Sequence, residues 1–190
     1  MMGHAMKQDI IRKATIILGS YGGINSGSSR ASKAEELCGE FTEGVIEDTV
    51  LSVRWPFALK RVASIEGMGS EFKVIEGVND CIKLAVIAPS NLEFYIDGGR
   101  ICFKGARLEF LFYYSKKVIN NLIDNDLAIW REVPENFKTL ASMNLAAQIA
   151  FAMYSDSMFA DGLKKQYLHK LEEIRRIYSL DYNLVNSGQV

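Results

Sequence analysis

Residues that carry metal and acid–base chemistry are scarce in this chain of 190 residues. It has two histidines, three cysteines and three prolines. Cys38, Cys81 and Cys102 are odd in number and widely spaced, with no CxxC pair and no neighbouring histidine. That pattern argues against a zinc site and reads as reduced, buried thiols. There is no excess of one charge. Lys and Arg total 22 against 23 for Asp and Glu, a net −1, which argues against a protein that grips nucleic acid or an anionic membrane. There is no long apolar run either. Leu145–Tyr154 is interrupted by Gln148 and falls well short of a membrane span. The N-terminus has no apolar core followed by a small-residue cleavage site, so no secretory signal is expected. Residues 1–6 are either native or a cloning scar, and His4 is given no function.

What is there is ordinary globular material: 48% hydrophobic and 24% charged residues. The length suits one buried core, so a single domain over 1–190 is expected. The order is helices, strands, helices, an α+β chain. Ile10, Ile11, Ala14, Ile17 and Leu18 recur at helical spacing and predict a helix over about 7–19. A turn-rich loop, 19–29, follows. A second helix is expected from near Ser32, where Ser32 and Glu35 have capping-box spacing. Its buried face is predicted as Ala34, Leu37, Cys38, Phe41 and Val45. It should end near Val53, because Pro56 blocks a regular continuation.

Residues 61–115 predict a β-rich insertion. Phe72 and Val74 alternate with polar residues, and a strand is expected over Cys81–Ile87. Leu92–Ile96 and Arg100–Lys104 flank Asp97-Gly98-Gly99, a strong hairpin signal. Leu108, Phe110 and Phe112 are predicted to share one face of a last strand. From Asn120 the pattern is helical again. Pro134 and Glu135 suit a first turn. Phe137, Leu140, Ala141, Leu145, Ile149 and Met153 mark a helix apolar nearly all round, expected to be central. Leu163, Tyr167, Leu171, Ile174 and Tyr178 form the stripe of a last helix over about 158–180. The expected architecture is thus an antiparallel helical bundle from 7–55 and 120–180, with the insertion at 61–115 and a flexible tail at 181–190.

The search for chemistry finds little. Residues 22–29 resemble a phosphate-cradling GxxxxGK[ST] loop, but Ser28 stands where the lysine belongs, and a helix precedes the loop. His169 reads as a solvated histidine. No GxSxG context is present. Asp124 with Asp126, and Asp156 with Asp161, are candidate carboxylate pairs that also sit where turns and caps want aspartate. Lys164, Lys165, Lys170, Arg175 and Arg176 form a basic cluster interrupted by Glu172 and Glu173. No catalytic residue, cofactor or metal is expected, and the chain reads as a non-enzyme.

Several segments, in order, resemble one family. They are Ile16-Ile17-Leu18-Gly19, the junction Arg54-Trp55-Pro56-Phe57-Ala58-Leu59-Lys60-Arg61, and the strand entry Asn79-Asp80-Cys81-Ile82-Lys83-Leu84. Leu111–Tyr114 with Val118 comes next, then Trp130 with Pro134–Phe137, and finally Leu140-Ala141 with Leu145–Ala150. Over about 10–180 the chain is similar to the head-to-tail connector adaptors of tailed bacteriophages, the podovirus-type tail tubular protein A group. The resemblance implies a virion protein assembled in the host cytoplasm. It implies a homo-oligomeric ring, usually a dodecamer, that binds the portal above and the tail nozzle protein below. Double-stranded genome DNA would pass through its lumen without sequence-specific binding, and the near-neutral charge suits such a conduit. Trp55, Phe57 and Phe137 are expected as structural anchors, the first two as a wedge between helices and strands. Tyr182, Asn183, Leu184 and Val185 in the tail are expected to dock on the portal. Another phage or bacterial assembly or binding module, or a small enzyme, stays open as an alternative.

Overall fold

The computed structural model describes residues 5–22, 29–124, 126–153 and 157–186. It is a mixed α+β chain of helices and small antiparallel sheets. Its contacts divide it into two compact units, 1–53 with 122–190 and 54–121, where the sequence suggested one domain.

The first unit is helical: α1 (Ala5–Gly22), α2 (Ser29–Ser52), α4 (Leu127–Glu132), α5 (Glu135–Met153) and α6 (Ser157–Asn186). Helix α5 packs against α1, α2 and α6, and α1 also packs against α2. Phe137, Leu140, Leu145 and Ile149 of α5 are wholly buried, and Ala141, Ala146 and Ala150 let the neighbouring helices come close. An ion pair joins Lys13 to Glu135, and Lys7 reaches Glu43 at 3.1 Å. The Arg175 guanidinium donates to the Ser52 carbonyl at 2.9 Å, satisfying one of the open acceptors at the end of α2.

Three expectations change here. Helix α2 starts at Ser29, so Ser32 lies inside it and is not its cap. Phe41 is exposed, and Thr42 and Thr49 are buried in its stead. Their hydroxyls donate to the carbonyls four residues back, Cys38 and Val45, so they enter a core without an unmet polar group. Helix α6 runs to Asn186, past the expected end near 180. Tyr182, Asn183, Leu184 and Val185 therefore fall on helical backbone, while the docking expected of their side chains lies outside the described residues, as do 187–190. The glycine-rich stretch at 23–28 also lies outside them.

The second unit opens on the Trp55 junction. Pro56–Ala58 forms one 3-10 turn, with proline at its start and the Ala58 N–H donating to the Trp55 carbonyl at 3.0 Å. Strands β1 (Leu59–Val62), β4 (Cys81–Ala88) and β8 (Phe110–Ser115) make one sheet in the order β1-β8-β4. Strands β2 (Ile65–Glu66) and β7 (Arg107–Leu108) pair as a ribbon. Strands β3 (Phe72–Val74), β5 (Glu93–Asp97) and β6 (Arg100–Lys104) make a third sheet, β3-β6-β5. All pairings are antiparallel. Helix α3 (Lys116–Ile123) follows β8. The core gathers Ile75, Val78, Ile101, Phe103, Leu108, Leu111 and Tyr113.

The expected one-face set Leu108, Phe110, Phe112 is corrected. The strand breaks at Glu109, whose N–H donates to the Ala88 carbonyl at 2.9 Å. The break shifts the phase by one residue, so Leu108, Leu111 and Tyr113 are buried while Phe110 and Phe112 are half-buried. The Asp97–Arg100 hairpin forms as expected, with Gly98 and Gly99 at φ 54° and 81°. Gly99 also lies against the backbone of Asn79: a Cβ there would stand 2.5 Å from the Asn79 carbonyl oxygen. Its carbonyl accepts from the Cys81 N–H at 2.9 Å. The hairpin is thereby locked to the entry of β4.

Candidate functional site

The densest polar cluster surrounds Asp80, the residue before β4. Lys60 of β1 donates to its Oδ2 at 3.0 Å, Ser115 at the end of β8 donates to the same oxygen, and Tyr113 donates to Oδ1 at 3.3 Å. The Asp80 carbonyl accepts from the Lys116 N–H at 2.7 Å. Ser115 Oγ accepts in turn from the Val118 N–H at 3.4 Å, the geometry of a cap on α3. Ser115 and Tyr113 are buried. One carboxylate thus joins β1, the start of β4, the end of β8 and the start of α3.

Burial raises the Asp80 pKa, but the hydrogen bonds from Ser115 and Lys60, the Lys60 charge and the Tyr113 hydroxyl pull it down, and the net shift is downward. It is a held anion, with three donors on its two oxygens. Burial, then the Asp80 charge, pushes the Tyr113 phenol up to about 12. The same two causes, in the same order, push the neighbouring Cys81 thiol up to about 11. Burial, then Glu35, pushes Cys38 up to about 12. A general base wants a pKa near neutrality and a nucleophilic cysteine wants a lowered one. These groups are arranged the other way, as struts.

A measurable consequence is that Cys38 and Cys81 will react with a thiol reagent at pH 7.5 at least about a hundredfold more slowly in the native protein than in denaturant, since the thiolate fraction falls tenfold per pKa unit. Peptide mapping of the alkylated protein reads each site. Fast native labelling of either one would overturn the assignment of both as inert.

The other sequence candidates separate. Asp126 caps α4, accepting from the Ala128 N–H at 2.9 Å. Asp124 is in the preceding turn, Asp161 and His169 are exposed, and Asp156 is outside the described residues. In the basic cluster, Lys170 pairs with Glu173 at 3.0 Å and Arg175 with Glu172 at 2.8 Å, while Lys164 lies 5.8 Å over the Phe151 ring. Among the anchors, Trp55 and Phe137 are wholly buried, and Phe57 is half-buried at 6.1 Å from the Trp55 ring. Phe137 meets Trp130 edge-on at 6.3 Å, and the Trp130 indole donates to the Leu122 carbonyl at 3.0 Å.

An open hollow of about 470 Å³ lies among Gly69, Pro89, Leu92, Lys104, Arg107 and Glu109. Its cations are engaged: Lys104 with Glu93 at 3.2 Å, and Arg107 with Glu66 at 3.6 Å and with the Ser64 hydroxyl at 2.9 Å. Among the described residues there is no group of three or more His, Cys, Asp and Glu side chains set to hold a metal, and no helix long and apolar enough to cross a membrane.

The one local signal of Asp80's role is an aspartate directly before a β-run, within the 79–84 strand entry. No protein-family model matches this sequence, and no curated protein matches it.

Proposed function

We propose that this chain is the structural adaptor of a phage head-to-tail connector. It would form a ring, twelve copies by the resemblance, between the portal and the tail nozzle, with genome DNA passing through the lumen. In this reading α1, α2, α5 and α6 form an antiparallel bundle carrying the β-rich insertion, and the chain performs no catalysis.

The observation that supports it most is the Asp80 cluster. Lys60, Asp80 and Tyr113 come from three of the segments that carry the family resemblance, the 54–61 junction, the 79–84 strand entry and the 111–114 strand. They meet on one carboxylate. Residues that share a framework are expected to recur together in a family built on it. The chemistry of that framework is holding, with a lowered carboxylate pKa and raised phenol and thiol values.

The test is assembly. Purified chain mixed with purified portal protein should give, by native mass spectrometry, a complex heavier than the portal by a ring of copies. Removing 181–190, with Tyr182 and Leu184, should weaken that binding by about tenfold or more if the tail docks on the portal. A portal that stays free of this chain at micromolar concentrations would overturn the reading.

A further inference from the structure

Directly opposed residues on antiparallel neighbours share a face. In the β3-β6-β5 sheet the register therefore sets Phe72 and Val74 of β3 with Cys102 and Lys104 of β6 and Glu93 and Tyr95 of β5. The opposite side carries Ile101 and Phe103, which are wholly buried in the core. The first set therefore lies on the outward side of the sheet, although Cys102 in the middle strand is itself buried. Phe72, Val74 and Tyr95 are 44%, 45% and 46% exposed. The Phe72 and Tyr95 rings meet edge-on at 5.0 Å, and Lys104 Nζ lies 5.8 Å over the Phe72 ring.

The charges on this face form two columns. Strand β5 supplies Glu93 and Asp97, and β6 supplies Lys104 and Arg100. Within the sheet they pair at 3.2 Å (Lys104–Glu93) and 3.7 Å (Arg100–Asp97). Each cation has an acid beside it, so phosphates of a nucleic acid or a membrane find no field to read. A matching partner needs a basic column to lie over β5 and an acidic column to lie over β6.

The same face of a second copy meets that description. A twofold axis parallel to the strands and between β5 and β6 lays one copy's β6 over the other's β5 without changing position along the strand. Glu93 then faces Lys104 of the second copy, and Asp97 faces its Arg100. We propose that two copies of this chain associate face to face through the outward surface of the β3-β6-β5 sheet. Such a contact is isologous and closes at two copies, whereas a ring grows through heterologous contacts. The proposal therefore stands apart from the ring reading and does not depend on it. The operation overlays only β5 and β6 and leaves β3 of each copy outside the overlap, so the contact buries less than the roughly 800 Å² per partner of a standard interface. The pair is accordingly weak, with a dissociation constant on the order of 100 µM.

Sedimentation velocity between about 10 µM and about 1 mM reads it. The average mass should climb from the 21.3 kDa of one chain toward twice that. Lys104→Glu sets like charges against Glu93 at two symmetric places and should weaken association by about tenfold or more. The double variant Glu93→Lys/Lys104→Glu restores both the pair within the sheet and the pairs between copies. It should associate with itself as the wild type does, yet not with the wild type, whose Glu93 it opposes with a carboxylate. Recovery in the double variant also shows that the single variant's loss is not misfolding. A wild type that stays monomeric over this range overturns the proposal. So does a Lys104→Glu chain that associates unchanged, as pairing along the free edge of β5 would give, or a double variant that mixes freely with the wild type.

Discussion

Trp55→Ala will lower the free energy of unfolding by about 3–5 kcal/mol, the range for emptying a buried tryptophan site. The indole is wholly buried, at the residue after the second unit begins. Its backbone is also committed, since its carbonyl accepts the Ala58 N–H and Pro56 fixes the next φ. The surroundings therefore have little freedom to close over the space the ring leaves. Phe57 is half-buried, so Phe57→Ala should cost only about 1–2 kcal/mol. Urea unfolding followed by circular dichroism measures both. The ordering, Trp55 well above Phe57, is the discriminating result. A Trp55→Ala chain that unfolds at the wild-type urea concentration would remove Trp55 as an anchor. If that variant does not accumulate folded, Trp55→Phe keeps most of the ring volume and should still fall measurably below wild type.

The helices were largely legible because their cores repeat every three or four residues. Of the α6 stripe, Leu163, Leu171 and Ile174 are buried as the spacing predicts, while Tyr167 and Tyr178 are half-buried. Periodicity failed where another force chose the inward residue. In α2, local hydroxyl-to-carbonyl bonds made Thr42 and Thr49 compatible with a core, and Phe41 was left outside. In β3 the alternation of Phe72 and Val74 with Lys73 does mark a strand, but alternation does not say which face is buried. Pairing with β6 puts Lys73 on the side of Phe103, and its ammonium finds the Glu66 carbonyl at 2.7 Å, while Phe72 and Val74 look outward. Along 107–115, one irregular residue, Glu109, moved the buried set by a single place.

The Asp80 cluster lay further from reach. Its partners stand 20, 33 and 35 residues away. Nothing within a local window marks Lys60, Tyr113 and Ser115 as neighbours. Only the sheet order β1-β8-β4, with the strand entry folded back onto β8, brings them together.

Removing the Asp80 carboxylate tests that cluster directly. Asp80→Ala leaves the Ser115 and Tyr113 hydroxyls, both buried, and the Lys60 ammonium without their shared acceptor. Two orphaned hydroxyls in a packed site cost about 2–4 kcal/mol in all. Lys60 adds little, since it is 40% exposed and water can take the ammonium. Asp80→Asn separates charge from shape. It keeps one acceptor oxygen but loses the anion, so it should fall between wild type and alanine. The pH dependence follows from the downward shift of the Asp80 pKa. A carboxyl with a folded pKa below its unfolded value contributes stability that is fully present above the unfolded value, near 3.8 for aspartate. That contribution fades as pH falls from there through the lowered folded value. Wild type should therefore lose stability on acidification below about pH 4 more steeply than Asp80→Asn. Asp9 and Glu135, whose pKa values are also lowered, contribute the same slope to both chains and cancel in the comparison. Parallel acid limbs for the two proteins would mean that the Asp80 charge does not hold the strands together, and that the hydroxyls and the packing around Leu111 and Tyr113 do so without it.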